Sequence, residues 1–182
     1  SNTPCSLPYL APSPASEPQV VQLEAFIETL IPDQKGPNLN DPAPENTTGI
    51  FITLHSYGDL VLWPWGNITA AAPNKVGLKA IGDKFATYNG YESCQPSICL
   101  YITSGTSDDH VYGELGAPSY TFEVGSSFMP SYSVIDAVQW PENKPAFIYA
   151  AKIARTPYMT VKGPDALNVN GSVSGTNLTL TA

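Results

Sequence analysis

Basic residues are scarce in this chain. Eight lysines and arginines stand against sixteen aspartates and glutamates, for a formal net charge of -8. A phosphate backbone wants the opposite sign, so nucleic acid is excluded as a partner. An anionic membrane surface is a poor partner for the same reason. Arg155 is the only arginine, and His55 and His110 are the only histidines, so imidazole chemistry has few places to sit. Long apolar runs are missing too: none reaches the roughly 18 residues that span a bilayer, and no transmembrane helix is expected. The opening Ser-Asn-Thr-Pro-Cys-Ser has neither a basic nor an apolar region and does not read as a signal peptide. The signal of an exported parent would lie upstream.

Cysteine is rare, and three is an odd count. Cys94 and Cys99 flank Gln-Pro-Ser-Ile, where a short turn brings them within disulfide reach; two free thiols in a loop are the other reading. Cys5 is then left over and points to a partner outside the chain. The spacing is a poor zinc pattern, so no metal site is expected on the cysteines.

What is present suits a folded, secreted acidic protein. The chain is 182 residues long, 42% hydrophobic and only 13% charged, enough for one full core and the start of a second module. Sequons stand at Asn46, Asn67, Asn170 and Asn177.

Periodicity organises the chain. Residues 1–16 are rich in Pro and Ser and read as irregular surface. Val20, Val21, Leu23, Phe26, Ile27 and Leu30 predict a helix opened by Pro18 and stopped at Ile31-Pro32. A long Pro- and Asn-rich loop follows over 33–48. Ile50 to Leu54 and Leu60 to Trp63 are β-branched or apolar runs that predict buried strands. Val76, Leu78, Ile81, Phe85 and Tyr88 give a helical face, closed by Asn89-Gly90. Ser119 to Val124 predicts another strand, and Pro145 to Arg155 a last helix closed by Thr156-Pro157. Strands separated by helices and long loops mean an α/β fold. From Tyr158 the texture turns to short alternating stretches, including Leu167-Asn-Val-Asn-Gly and Leu178-Thr-Leu-Thr, that predict hairpins of an appended β module.

Two residues stand out chemically. His55 follows an apolar strand at its carboxyl end, the edge where open α/β sheets bind ligands; alone it reads as an ordinary strand-end histidine. Glu123 lies in a strand beside Tyr120, Phe122 and Val124, where a carboxylate is costly unless paired or held by a metal; a water-facing edge-strand glutamate is the bland alternative.

The longer runs narrow these readings. Leu54-His55-Ser56-Tyr57-Gly58-Asp59-Leu60-Val61-Leu62-Trp63-Pro64-Trp65-Gly66 is followed by Ser104-Gly-Thr-Ser-Asp-Asp-His110 and then Tyr120-Thr-Phe-Glu123. Together they resemble the C-terminal half of the catalytic domain of the zinc metallocarboxypeptidases, the funnelin group that includes pancreatic carboxypeptidases A and B. The resemblance runs from residue 3 to about 155, as Thr3-Pro4-Cys5-Ser6 also matches. It implies part of a mixed, mostly parallel central sheet flanked by helices, with a catalytic portion over 1–157 and a linker and β module over 158–182. It implies Zn2+ as cofactor and His55 as one ligand. It makes Glu123 the catalytic base, which takes a proton from the attacking water and returns it to the leaving amine. Tyr101 matches the tyrosine that closes over the substrate, and Asp108 the base of the pocket for the final side chain. An Asp there prefers Lys or Arg ends; a solvated loop carboxylate is the plainer reading. Ser56 and Tyr57 match an outer subsite, and Leu62, Gly66, Leu100 and Thr121 match pocket walls. In several members the cysteine equivalent to Cys5 pairs with one upstream.

The departures are as informative. The family's His-x-x-Glu zinc pair is absent, since neither His55 nor His110 has a Glu three residues on. Its substrate-binding arginines have no match, and His110 stands where digestive members usually carry Trp. The chain alone is therefore expected to be inactive. Its expected partners are peptide or protein C-termini and the missing N-terminal half of its own domain, without which the exposed sheet edge should aggregate. A non-catalytic binding module of the same fold is the alternative, and an adhesion role centred on the tail a third.

Overall fold

The computed structural model describes residues 11–163 and 170–181. Cys5, the Thr3–Ser6 match and Leu167 to Val169 lie outside the described residues. The first helix, α1 (Pro18–Leu30), begins at its proline and ends before Ile31-Pro32, as its pattern predicts. Its apolar stripe behaves differently. Only Ile27 is buried, while Val20, Val21, Leu23, Phe26 and Leu30 remain exposed.

The central sheet is built from β1 (Phe51–His55), β2 (Leu60–Leu62), β3 (Glu92–Cys94) and β4 (Ser119–Glu123), in the order β1-β4-β2-β3. β4 runs parallel to β1 and antiparallel to β2, and β3 runs parallel to β2. The sheet is thus mixed. β1 is at one edge, and Leu54 near its end is 59% exposed.

Side chains alternate across a strand. One face of the sheet carries Val61, Tyr120 and Phe122, which pack with Leu78, Ile81 and Phe85 of α2 (Lys75–Asn89). Phe85 is the hub, meeting the Tyr120 ring edge-on at 5.1 Å and Phe122 at 5.4 Å. Gly90 ends α2 in the left-handed conformation its sequence position suggests, with φ of 75°. The opposite face carries His55, Leu62, Thr121 and Glu123. This corrects the view of Glu123 as a carboxylate set among aromatics, because Tyr120 and Phe122 point away from it.

Two short helices follow β3: α3 (Pro96–Cys99) and α4 (Ser107–His110), the latter continuing as a π-turn over Val111–Leu115. After β4 the chain is helical much earlier than its prolines suggest. α5 (Tyr132–Val134) runs through a π-turn, Ile135–Gln139, into α6 (Trp140–Ile153). Pro145 lies inside α6 instead of opening it; the helix is held by Asn143, Ala146, Ala150 and Ile153, which are buried. Tyr158 starts no β texture. It belongs to α7 (Pro157–Thr160), its ring is 4% exposed, and its hydroxyl donates to the Gly116 carbonyl at 3.1 Å. Beyond it, β5 (Asn170–Ser174) and β6 (Asn177–Thr181) pair antiparallel as one hairpin. Among the described residues no helix is long and apolar enough to cross a membrane.

Candidate active site

The site is a row across the sheet. Parallel pairing of β1 and β4 sets His55 opposite Glu123, the last residue of each strand. Register partners share a face, and His55 Nδ1 lies 4.0 Å from Glu123 Oε1. The imidazole is open, its side chain 56% exposed, whereas the carboxylate is 17% exposed. Burial pushes the Glu123 carboxyl above its usual value, and the neighbouring His55 pulls it partly back. A half-sheltered carboxylate beside an accessible imidazole is what proton transfer at a metal needs.

Six of the other predicted residues fall into three pairs. Leu62 and Thr121 are direct cross-strand partners on the same face as Glu123, both buried. Ser56 and Tyr57 leave the end of β1 into solvent, and the Tyr57 ring meets Phe128 edge-on at 4.6 Å. Tyr101 is 68% exposed, and Leu100, expected as a pocket wall, is 44% exposed. The space of about 390 Å³ beside His55 is lined by Leu54, Ser56 and Val124, with Ile135, Trp140 and Phe147 from the helices after β4.

Asp108 sits in the first turn of α4 and is only 3% exposed. Its Oδ1 accepts the Asp109 backbone N–H at 3.0 Å, and its carbonyl accepts the Ser119 hydroxyl at 2.6 Å. The Cys94–Cys99 disulfide is formed. His110 turns toward α1, its Nδ1 3.6 Å from the Glu24 carboxylate.

One structural residue was hidden beside Asp108. Asp109 accepts backbone N–H groups from Gly66, at 2.9 Å, and Asn67, at 3.0 Å. It ties the loop after β2 to α4. Gly66 has no room for a side chain, because a Cβ there would stand 2.5 Å from Thr103 Oγ1. Burial raises the Asp109 carboxyl to about 6, against the pull of the Gly66 hydrogen bond. The unfolded chain would titrate near the usual ~3.9. The folded state therefore holds this proton more tightly. That stabilisation is complete below about pH 4 and is lost as pH rises through about 6. Wild-type stability relative to Asp109→Asn should fall by on the order of 2–3 kcal/mol between pH 4 and pH 7. Denaturant titrations of the complete protein at both pH values check this, and parallel pH profiles would refute it.

A zinc fit can be judged from the donors. Catalytic zinc usually takes three protein ligands. His55 is accessible and suits one of them, but no group of three or more His, Cys, Asp or Glu side chains comes together among the described residues. The described residues therefore do not make a catalytic zinc site by themselves.

Comparison with known proteins bears on the family and the fold. A family model described as zinc carboxypeptidase matches residues 1–145. Carboxypeptidase O of Bos taurus is 32% identical over 126 residues, 65% of this chain and 30% of that protein. A zinc carboxypeptidase of Saccharothrix mutabilis subsp. capreolus is 37% identical over 106 residues, 52% of this chain and 24% of that protein. Bovine thrombin-activatable fibrinolysis inhibitor, solved in complex with tick carboxypeptidase inhibitor, superposes with a TM-score of 0.67 at 22% identity, over 88% of this chain and 52% of that one. The chain thus spans less than a third of the length of these two curated relatives.

Proposed function

The chain belongs to the zinc carboxypeptidase family, and on that premise we propose that it is the C-terminal part of a secreted metallocarboxypeptidase that hydrolyses the last peptide bond of peptides or proteins. The observation that carries the reading is the His55–Glu123 register pair, an open imidazole beside a sheltered carboxylate. His55 would serve as one zinc ligand. Zinc, when bound, supplies a Lewis acid that polarises the scissile carbonyl and makes water more acidic. Glu123 removes a proton from the attacking water and delivers it to the leaving amine. Tyr101 caps the substrate, Ser56 and Tyr57 line an outer subsite, and Leu62, Gly66 and Thr121 frame the pocket for the final side chain. Asp108 biases that pocket toward Lys or Arg, since a buried carboxylate favours a cation.

The missing donors come from an N-terminal half carrying a His-x-x-Glu pair. Its docking place is the open edge of β1, where Leu54 is exposed and strand hydrogen-bonding groups await a neighbour. The test joins this chain to such a half and compares it with the chain alone. The complete unit should hold about one zinc and release C-terminal residues, and His55→Ala should lose both. The chain alone should do neither. A complete unit that holds no zinc and releases nothing would overturn the enzyme reading in favour of a non-catalytic binding module.

A further inference from the structure

The disulfide sits where it can act on the substrate cap. Cys94 is the last residue of β3 and the register partner of Leu62, a fixed point of the sheet. Its carbonyl also accepts the Trp63 N–H at 3.2 Å. Cys99 is the last residue of α3, a single turn too short to hold itself. The turn's own bonds, from the Ile98 and Cys99 N–H groups to the Gln95 carbonyl, are reinforced by side chains and by the disulfide. The Gln95 amide donates to the Ile68 carbonyl at 3.0 Å and to Ser97 Oγ at 2.8 Å, and the disulfide closes the turn onto β3.

Leu100 still donates its N–H to the Pro96 carbonyl at 2.9 Å, and beyond that bond the chain lifts off. Leu100, Tyr101 and Ile102 are 44%, 68% and 63% exposed. It lands again at Thr103, whose N–H donates to the Gly66 carbonyl at 2.9 Å. Among the described residues nothing hydrogen-bonds the Tyr101 phenol. Tyr101 thus stands on a short arch with two feet, the α3 turn tied by the disulfide and closed by the Leu100–Pro96 bond, and the Thr103–Gly66 bond.

We infer that the Cys94–Cys99 disulfide is a positioning element for Tyr101, fixing the near foot of the arch from which the phenol reaches substrate. The inference rests on the carboxypeptidase reading. An untied α3 frays, the arch lengthens, and the phenol samples more positions than the one that meets a substrate carboxylate.

The test uses the complete protein, with Cys94→Ser/Cys99→Ser and, as a second form, Cys94→Ala/Cys99→Ala. KM for a C-terminal substrate should rise about tenfold while kcat stays within about twofold. In a Tyr101→Phe background the same removal should add less than about twofold, because the tie acts through that phenol. An unchanged KM, or a loss that multiplies in full with Tyr101→Phe, would overturn the inference. A parent with no activity would count against the carboxypeptidase reading. Chymotryptic cleavage at Leu100 or Tyr101 then decides the clamp. It should quicken about tenfold in either double variant well below the melting temperature, and an unchanged rate overturns it.

Discussion

Replacing Glu123 by Gln in the complete catalytic unit is expected to lower kcat by about a thousandfold with little change in KM. Gln keeps the size and place of the side chain at the end of β4, so the row with His55 survives. It cannot carry the proton. The loss should therefore appear in the chemical step, and zinc content should stay at the wild-type level because His55 is untouched. Single-turnover kinetics with metal analysis separates these quantities. A Glu123→Gln protein that keeps a wild-type kcat would remove the carboxylate from the mechanism and leave only a sheltered edge residue.

Asp108→Ala should reverse the choice of substrate. Release of C-terminal Lys or Arg should fall about a hundredfold, because truncating one partner of a buried charge pair leaves the other charge stranded. Release of C-terminal Leu or Phe should hold or improve, since burial of the carboxylate then no longer opposes an apolar side chain. A panel of peptides differing only in the last residue reads both changes. An equal loss on every peptide would assign Asp108 to the architecture of α4, through the Asp109 N–H it accepts, and would end its role in specificity.

Elements with a strong period are legible without coordinates. α2 announces itself through Leu78, Ile81, Phe85 and Tyr88, and through the stop at Gly90, although Val76, expected on the same face, is 86% exposed. His55 and Glu123 are found through the runs that surround them, and their strands end within one residue of where those runs predict. The order of strands is not legible. β4 inserts between β1 and β2, two strands that are neighbours in the chain, and local patterning carries no trace of that insertion. β3 is three residues long, too short for a period to show. The apolar run around Glu123 is a poor guide to its surroundings, because period-two alternation sends adjacent side chains to opposite faces. Asp108 and Asp109 are the same residue type side by side, and only the closeness of Asp109 to Gly66 and Asn67 tells their duties apart. Phe128 lies in a loop without periodicity, so its packing on Tyr57 gives no advance signal.

The parallel pairing of β1 with β4 has a consequence in time. No tight turn can join two parallel strands, so the chain must make a long excursion before it returns alongside itself. Between His55 and Glu123 it lays down β2, α2, β3, the tyrosine arch and α4. Such long-range closure is slow and comes late. During synthesis His55 waits without its carboxylate until nearly everything between them has been made and placed. A half-built molecule therefore holds no assembled pair. On the carboxypeptidase reading, the proposed proton transfer becomes possible only when the sheet closes and brings the pair together.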